Sequence, residues 1–193
     1  MREQGNRPLQ DSLKDHLRDR RLLLLLDNFE QLISAAPVVT ALLAAAPRLQ
    51  VLATSRESLH LSGEYEYVVP PLSLPDPRQM PPPDRLAQSE AVRLFVERAQ
   101  AVQADFILTA EDAAAIAAIC RQLDGLPLAI ELAARRIKLF PPQALLARLT
   151  NRLKLLVGGA QDLPLRQQTL RGTIAWSYDL LEEDEKFLFQ RLA

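Results

Sequence analysis

A run of five leucines, Leu22–Leu26, ends abruptly in the polar pair Asp27-Asn28. The run is far too short for a membrane span, which needs about 20 apolar residues, and too short for the apolar part of a signal peptide. A short unbroken apolar block that ends in a polar turn is typical of a strand buried on both faces of a parallel sheet. We therefore predict a buried strand at Leu22–Leu26 with a carboxylate at its carboxyl end.

The residues after this run continue in a strand and helix alternation. Pro37 suits the first turn of a helix, a second apolar block lies at Leu49–Ala53, and a third lies at Tyr65–Val69. Strands that alternate with helices in this way indicate an α/β arrangement with a parallel sheet.

The second half of the sequence has a different pattern. A proline-rich stretch from Pro70 to Pro83 predicts a linker, and everything beyond it has helical periodicity. Thr109 is expected to cap a helix, Gly125 fits a helix C-terminus, and Pro127 fits the start of the next helix. The predicted fold class is therefore α/β followed by all-α. The predicted boundaries are 1–72 for the α/β domain, 73–88 for the linker, 89–160 for a helical subdomain and 161–193 for a final helical part.

Composition narrows the choice of partners and compartment. The formal net charge is −1, so no general basicity favours a nucleic acid or a membrane as a partner. The single cysteine, Cys120, lies on an apolar helical stripe and is predicted to be a buried structural thiol. His16 and His60 have no metal-ligand spacing. We expect a cytoplasmic protein without membrane contact.

Polar residues follow each of the first two predicted strands. Asp27 ends the first, and Thr54, Ser55 and Arg56 end the second, so these side chains are expected at one edge of the sheet, where ligands of open parallel sheets bind. A carboxylate there can hold Mg²⁺ directly or through water, and an arginine can bind a terminal phosphate. The pattern favours a nucleoside triphosphate site. An alternative stays open, in which Asp27 only caps the next helix or lies in a solvated turn.

Four segments occur in the order LLLLLDNFEQL, VLATSRESL, LDGLPLAIELAA and TLRGTIAWSYDLLEEDE. Together they resemble the NB-ARC-like STAND signalling NTPases of bacteria, notably the ATPase modules of large LuxR-type and BTAD-type transcriptional regulators, over nearly the whole chain. The resemblance implies a P-loop NTPase sheet, a helical subdomain and the start of a winged helix. The resemblance also implies that Asp27 is the Walker B acid, which holds Mg²⁺ through water, with Asn28 beside it. It implies that Thr54, Ser55 and Arg56 form sensor 1, with Arg56 facing the γ-phosphate. Gly125, Leu126 and Pro127 would then be the GLPL motif near the adenine.

The sequence departs from this family in two respects. It contains no G-x-x-x-x-G-K-[S/T], and none of its six glycines precedes a lysine, so it has no Walker A loop to cradle phosphates. In the family that loop follows a strand that lies between the Walker B and sensor-1 strands. Asn28 stands where many relatives carry a second acid, and an amide cannot accept a proton from water at neutral pH. Glu30 is a candidate substitute base, with an acid at a helix start as the alternative. We therefore expect an internal fragment of the sheet that does not hydrolyse ATP alone.

The resemblance implies an ATP/ADP-dependent signalling switch in a transcriptional regulator, with Mg-ATP or Mg-ADP as the cofactor of the intact parent protein. The implied partners are the nucleotide and the effector and sensor domains of the parent, including tetratricopeptide domains. An alternative is a non-enzymatic protein-interaction module that has lost nucleotide binding, since the phosphate-binding loop is missing. Direct DNA contact through the partial winged helix is disfavoured by the charge.

Overall fold

The computed structural model describes residues 8–76 and 82–192. The chain divides into two compact units, one up to Val69 and one from Pro70. The first is mixed, with a small parallel sheet, and the second is helical; each is described by itself.

Among its described residues, the first unit has two strands and two α-helices. Its strands, β1 (Leu22–Leu26) and β2 (Leu49–Ala53), pair in parallel, with Leu22 opposite Leu49 and Leu26 opposite Ala53. A 3₁₀ segment, Phe29–Ala35, follows β1. The elements in chain order are α1 (Leu9–Leu17), β1 (Leu22–Leu26), α2 (Ala36–Ala45) and β2 (Leu49–Ala53). The predicted strands at 22–26 and 49–53 are thus confirmed, as is the start of a helix at Pro37, which lies in the first turn of α2.

Only one face of this sheet is covered by the described residues. Side chains alternate along a strand, and those of Leu24, Leu49 and Val51 pack against α1 and α2. On the opposite face, which we call the outer face, Leu23, Leu25 and Leu52 are 58%, 65% and 57% exposed. The prediction of a strand buried on both faces is therefore wrong, because the helices of this unit lie on a single side of the sheet.

Two further expectations about the sheet differ from the structure. β1 and β2 are hydrogen-bonded to each other directly, whereas the family resemblance implies a strand between them. Tyr65–Val69 contains no strand, and Tyr65 and Tyr67 are 97% and 83% exposed. The prediction of a third strand there is wrong. The β-favouring composition of this segment is not enough, because a strand also needs a hydrogen-bonded neighbour, and no described strand pairs with it.

The second unit consists of helices around one apolar core. Its described helices are α3 (Pro83–Leu86), α4 (Glu90–Val102), α5 (Ala110–Gln122), α6 (Pro127–Ala134), α7 (Pro142–Arg148), α8 (Arg152–Leu155), α9 (Leu170–Asp179) and α10 (Glu183–Leu192). The predicted cap at Thr109 is confirmed, since its hydroxyl oxygen accepts a hydrogen bond from the Asp112 N–H at 3.2 Å. Pro127 starts α6 as predicted.

The core of this unit lies between α4, α5, α6 and α7. Phe95, Ile116, Ile130 and Leu145 are completely buried in it, and so is Cys120, as predicted. Helices α9 and α10 contribute no buried residue.

Part of the expected linker packs on these helices. The Leu72 N–H donates to the Gly125 carbonyl at 3.0 Å, and the Ser89 hydroxyl donates to the Ser73 carbonyl at 2.7 Å. Leu86 is only 1% exposed and belongs to the helical core. Within the described ranges, no helix combines the length and apolar character needed to cross a bilayer.

Candidate functional site

Three polar side chains meet where β1 and β2 end, and we call Asp27, Asn28 and Thr54 the strand-end cluster. The Thr54 hydroxyl donates to Asp27 Oδ1 at 2.6 Å, and Asn28 Nδ2 donates to Asp27 Oδ2 at 3.1 Å. The Asn28 backbone N–H donates to Thr54 Oγ1 at 3.0 Å. Both carboxylate oxygens of Asp27 therefore have a defined neighbour, which fixes the orientation of this acid.

The register of the sheet brings these residues together. Leu26 pairs with Ala53, so the next residue on each strand is placed at the same edge. The Thr54 N–H donates to the Leu26 carbonyl at 2.9 Å, and the Phe29 N–H donates to the Thr54 carbonyl at 2.8 Å. These bonds extend the contact between the two chain segments past the last strand residue. The predicted meeting of Asp27 and Thr54 is thereby confirmed.

Asn28 turns the chain out of β1 in a left-handed conformation, with φ of 59° and ψ of 47°. Asparagine adopts this conformation more readily than most other residues. The turn directs Phe29, which is 5% exposed, into the apolar cluster beneath the sheet. Asn28 thus has a conformational role in addition to its hydrogen bond to Asp27.

Arg56 and Glu30 form an ion pair beside the same turn. Arg56 Nε lies 3.5 Å from Glu30 Oε1, and the side chains are 39% and 7% exposed, respectively. Ser55 lies between Thr54 and Arg56 in sequence, and its hydroxyl oxygen accepts a hydrogen bond from the Glu57 N–H at 3.4 Å. The structure therefore places Ser55 in a local turn and Glu30 against an arginine. The assignment of Glu30 as a base stays a prediction.

A cleft of about 460 Å³ lies next to Arg56, on the first unit, and is lined on another side by Tyr65 and Tyr67. Its volume lies within the range of ordinary small-ligand sites. Glu64 orders the loop that leads into this segment, because its carboxylate accepts hydrogen bonds from the N–H groups of Leu59 and Leu61 at 3.0 and 3.1 Å. These bonds, the one from Leu59 first, lower the pKa of Glu64 below its usual value.

Sequence reasoning missed this cleft. The composition of Tyr65–Val69 predicts a strand, and the signal for an exposed segment is the charged residue beside each tyrosine, Glu64 and Glu66.

Gly125, Leu126 and Pro127 lie in the second unit, whereas the strand-end cluster, Ser55 and Arg56 lie in the first. Gly125 ends the turn after α5 with φ of 68°, and its N–H donates to the Cys120 carbonyl at 3.2 Å. A Cβ atom at this position would be 2.5 Å from the Leu72 carbonyl oxygen, so only glycine fits without a shift. Leu126 is 47% exposed, and Pro127 is exposed in the first turn of α6. The predicted helix C-terminus at Gly125 is confirmed.

The strand-end cluster fits one part of a magnesium nucleotide site. Among residues 8–76 and 82–192, no group of three or more histidine, cysteine, aspartate or glutamate side chains could hold a metal ion. Asp27 is a single carboxylate whose oxygens each accept one hydrogen bond, which leaves further lone pairs for an ordered water. Such an arrangement suits a cation held through water. This sequence lacks the Walker A loop that would bind the phosphates, because it contains no G-x-x-x-x-G-K-[S/T].

Known proteins align with almost the whole length of this sequence. Over 192 residues, or 99% of the chain, it is 44% identical to proteins of Mycobacterium bovis and Mycobacterium tuberculosis that are named "Putative HTH-type transcriptional regulator". Over 184 residues, or 95% of the chain, it is 42% identical to an uncharacterized protein of Mycobacterium tuberculosis. The chain spans only 20% of the length of the former relatives and 44% of the latter.

No family model matches the chain, and no solved structure matches it. The chain is thus homologous to one segment of much longer proteins, some of which bear the name of transcriptional regulators. This similarity supports the predicted link to transcription regulation. The names of these relatives say nothing of a nucleotide.

Proposed function

We propose that this chain is the nucleotide-reading segment of a transcriptional regulator, in which the strand-end cluster and Arg56 contact Mg-ATP or Mg-ADP in a switch of the NB-ARC-like STAND type. The observation that carries the proposal is the 2.6 Å hydrogen bond from Thr54 to Asp27. It presents an oriented acid at the carboxyl edge of two parallel strands, which is where ligands bind in open α/β sheets. The 44% identity to named regulators supports the regulatory setting.

In this proposal Asp27 holds the hydration shell of the nucleotide's Mg²⁺. Thr54 and Asn28 each donate one hydrogen bond to its carboxylate and so keep the remaining lone pairs aimed in a fixed direction. Magnesium retains several waters in protein sites, so one well-oriented carboxylate can suffice as the protein's own contribution. When bound, the cation neutralises phosphate charge.

Arg56 is the residue that would distinguish ATP from ADP. Its guanidinium lies against Glu30, so a γ-phosphate has to compete with that carboxylate for the same donors. A nucleotide without the γ-phosphate leaves the Arg56–Glu30 pair in place. The two nucleotides would therefore favour different arrangements of the turn after β1, which is the differential interaction that any ligand-driven switch needs.

The remaining parts of the switch follow the family resemblance. Gly125, Leu126 and Pro127 would contact the adenine, and effector and sensor domains of the parent regulator would receive the change in packing. A cytoplasmic setting belongs to the same proposal.

A second candidate function is protein interaction without nucleotide. The outer face of the sheet favours it, since Leu23, Leu25 and Leu52 are all more than half exposed. In that case Asp27 and Thr54 serve only to join the ends of the two strands.

Measurements of nucleotide binding by two variants distinguish the two proposed functions. Fluorescently labelled ADP and ATP are titrated with the chain in the presence of Mg²⁺, and polarisation is measured. Arg56→Ala should weaken ATP binding more than ADP binding. Arg93→Ala is the control, because Arg93 is 65% exposed and pairs with Glu97 within a single helix of the other unit. Equal loss of both nucleotides in Arg56→Ala would refute the sensor role, and no binding by the unaltered chain would favour the interaction module.

A further inference from the structure

The opposite end of the same sheet carries a concentration of positive charge. Arg21 immediately precedes β1, and Arg48 immediately precedes β2. Because Leu22 pairs with Leu49, the two arginines stand at adjacent starts of parallel strands, whose backbones run about 4.8 Å apart. They line one cleft of about 400 Å³ together with Pro47 and Gln50.

Both arginines are exposed, and within the described part of the chain no carboxylate lies within 4.0 Å of either guanidinium. The nearby Arg18 differs in this respect, since it pairs with Asp15 at 3.0 Å. Like charges on directly neighbouring strand positions repel each other and cost stability. The cleft therefore holds two adjacent positive charges that no described carboxylate pairs, and an anion would stabilise them.

We propose that this cleft is a binding site for a phosphate group. Two guanidinium groups present planar forks of N–H donors that match phosphate oxygens, and the Gln50 side-chain amide adds a further donor. A phosphate dianion balances the two positive charges that meet here, whereas a single carboxylate balances one. The Arg21–Arg48 cleft recognises the phosphate group itself, and its ligand is a phosphate monoester or inorganic phosphate.

This site is separate from the strand-end cluster. The two lie at opposite ends of five-residue strands, which places them about 17 Å apart along the sheet. A ligand in the Arg21–Arg48 cleft therefore leaves Asp27 and Thr54 accessible.

Thermal unfolding of the full chain in phosphate and in chloride, at equal ionic strength, tests the proposal. Phosphate at about ten times its Kd should raise the Tm by roughly 3–6 °C relative to chloride. Arg21→Gln and Arg48→Gln should each lose this rise. Arg171→Gln is the matched control, since Arg171 is an exposed arginine in the other unit. The general stabilisation by phosphate, which is excluded from protein surfaces, is common to all variants and cancels in the comparison.

Line broadening of the ³¹P signal of inorganic phosphate gives a second readout that requires only folded protein at 25 °C. Broadening by the unaltered chain and by Arg171→Gln, but not by Arg48→Gln, supports the site. An equal Tm rise in all variants, or equal broadening, overturns it. An Asp27→Asn variant should keep the full phosphate response, so failure of nucleotide binding and failure of this site give different results.

Discussion

The Thr54 hydroxyl takes part in two of the three side-chain hydrogen bonds of the strand-end cluster. It donates to Asp27 and accepts from the Asn28 N–H. Thr54→Val keeps the shape of the side chain and removes both bonds, so the free energy of unfolding should fall by about 1–2 kcal/mol. Thr54→Ser retains the hydroxyl and is the control. Urea unfolding measures both variants, and a loss in Thr54→Ser without a loss in Thr54→Val would show that methyl packing, and not the hydroxyl, matters at this position.

Alanine substitutions at Gly125 and Gly63 allow a direct comparison of their effects on stability. Both have positive φ, 68° and 82°, but a Cβ at Gly125 would meet the Leu72 carbonyl oxygen, whereas at Gly63 nothing lies within 4 Å. Gly63→Ala should therefore cost about 1 kcal/mol from the left-handed backbone alone. Gly125→Ala should cost about 2–4 kcal/mol, because steric overlap adds to that strain. Circular dichroism during urea unfolding measures the difference, and similar costs would mean that Leu72 does not pack tightly on this turn.

The buried thiol of Cys120 makes the free energy of unfolding depend on pH. Burial raises the pKa of its thiol from 9.0 to about 12, and the nearby charge of Arg121 opposes the rise. Above pH 9 the unfolded chain loses this proton while the folded chain keeps it, so stability falls as pH rises from about 9 towards 12. The slope from this group is at most about 1.4 kcal/mol per pH unit.

Cys120→Ala removes this titration. The difference in unfolding free energy between the variant and the unaltered chain, measured between pH 8 and 10.5, should therefore change with pH. A constant difference would contradict the raised pKa.

Within the strand β1, the neighbouring residues Leu24 and Leu25 are chemically identical but lie in different surroundings. Leu25 is 65% exposed on the outer face, while its neighbour Leu24 packs with Leu13 and Leu17 of α1. Leu25→Lys should change the free energy of unfolding by less than about 0.5 kcal/mol. Leu24→Lys should lower it by about 2 kcal/mol or more, because a charge then replaces apolar packing. Equal costs would show that the outer face of the sheet is covered in solution.

The elements whose signals are local could be predicted from the sequence. Pro37 and Pro127 mark the first turns of α2 and α6, and Thr109 caps α5, because each acts through its own backbone or a residue three positions away.

Predictions that depend on distant neighbours were less successful. The burial of β1 on both faces and a strand at Tyr65–Val69 both require partner elements that a local pattern cannot reveal. In the candidate site, the contact between Asp27 and Thr54 followed from the rule that parallel strands share a carboxyl edge. The Glu30–Arg56 pair depends on the 3₁₀ turn after Asn28, and asparagine favours a left-handed φ without requiring it.

At the scale of the whole molecule, a mixed unit with the strand-end cluster is followed by a helical unit with a single large core. The same segment recurs at 44% identity in proteins about five times its length that are named as regulators. In the function proposed above, this segment reads the nucleotide, and the signal and its output belong to other parts of the longer proteins.

The most direct test is a thermal melt of the purified chain with and without Mg-ADP and Mg-ATP at millimolar concentration, beside the Asp27→Asn variant. A ligand that binds only the folded state raises the Tm in proportion to the logarithm of its concentration over Kd. We predict that both nucleotides raise the Tm of the unaltered chain and that Asp27→Asn abolishes the rise. A melt that is indifferent to nucleotide, or a rise that survives in Asp27→Asn, would contradict a nucleotide site at the strand-end cluster.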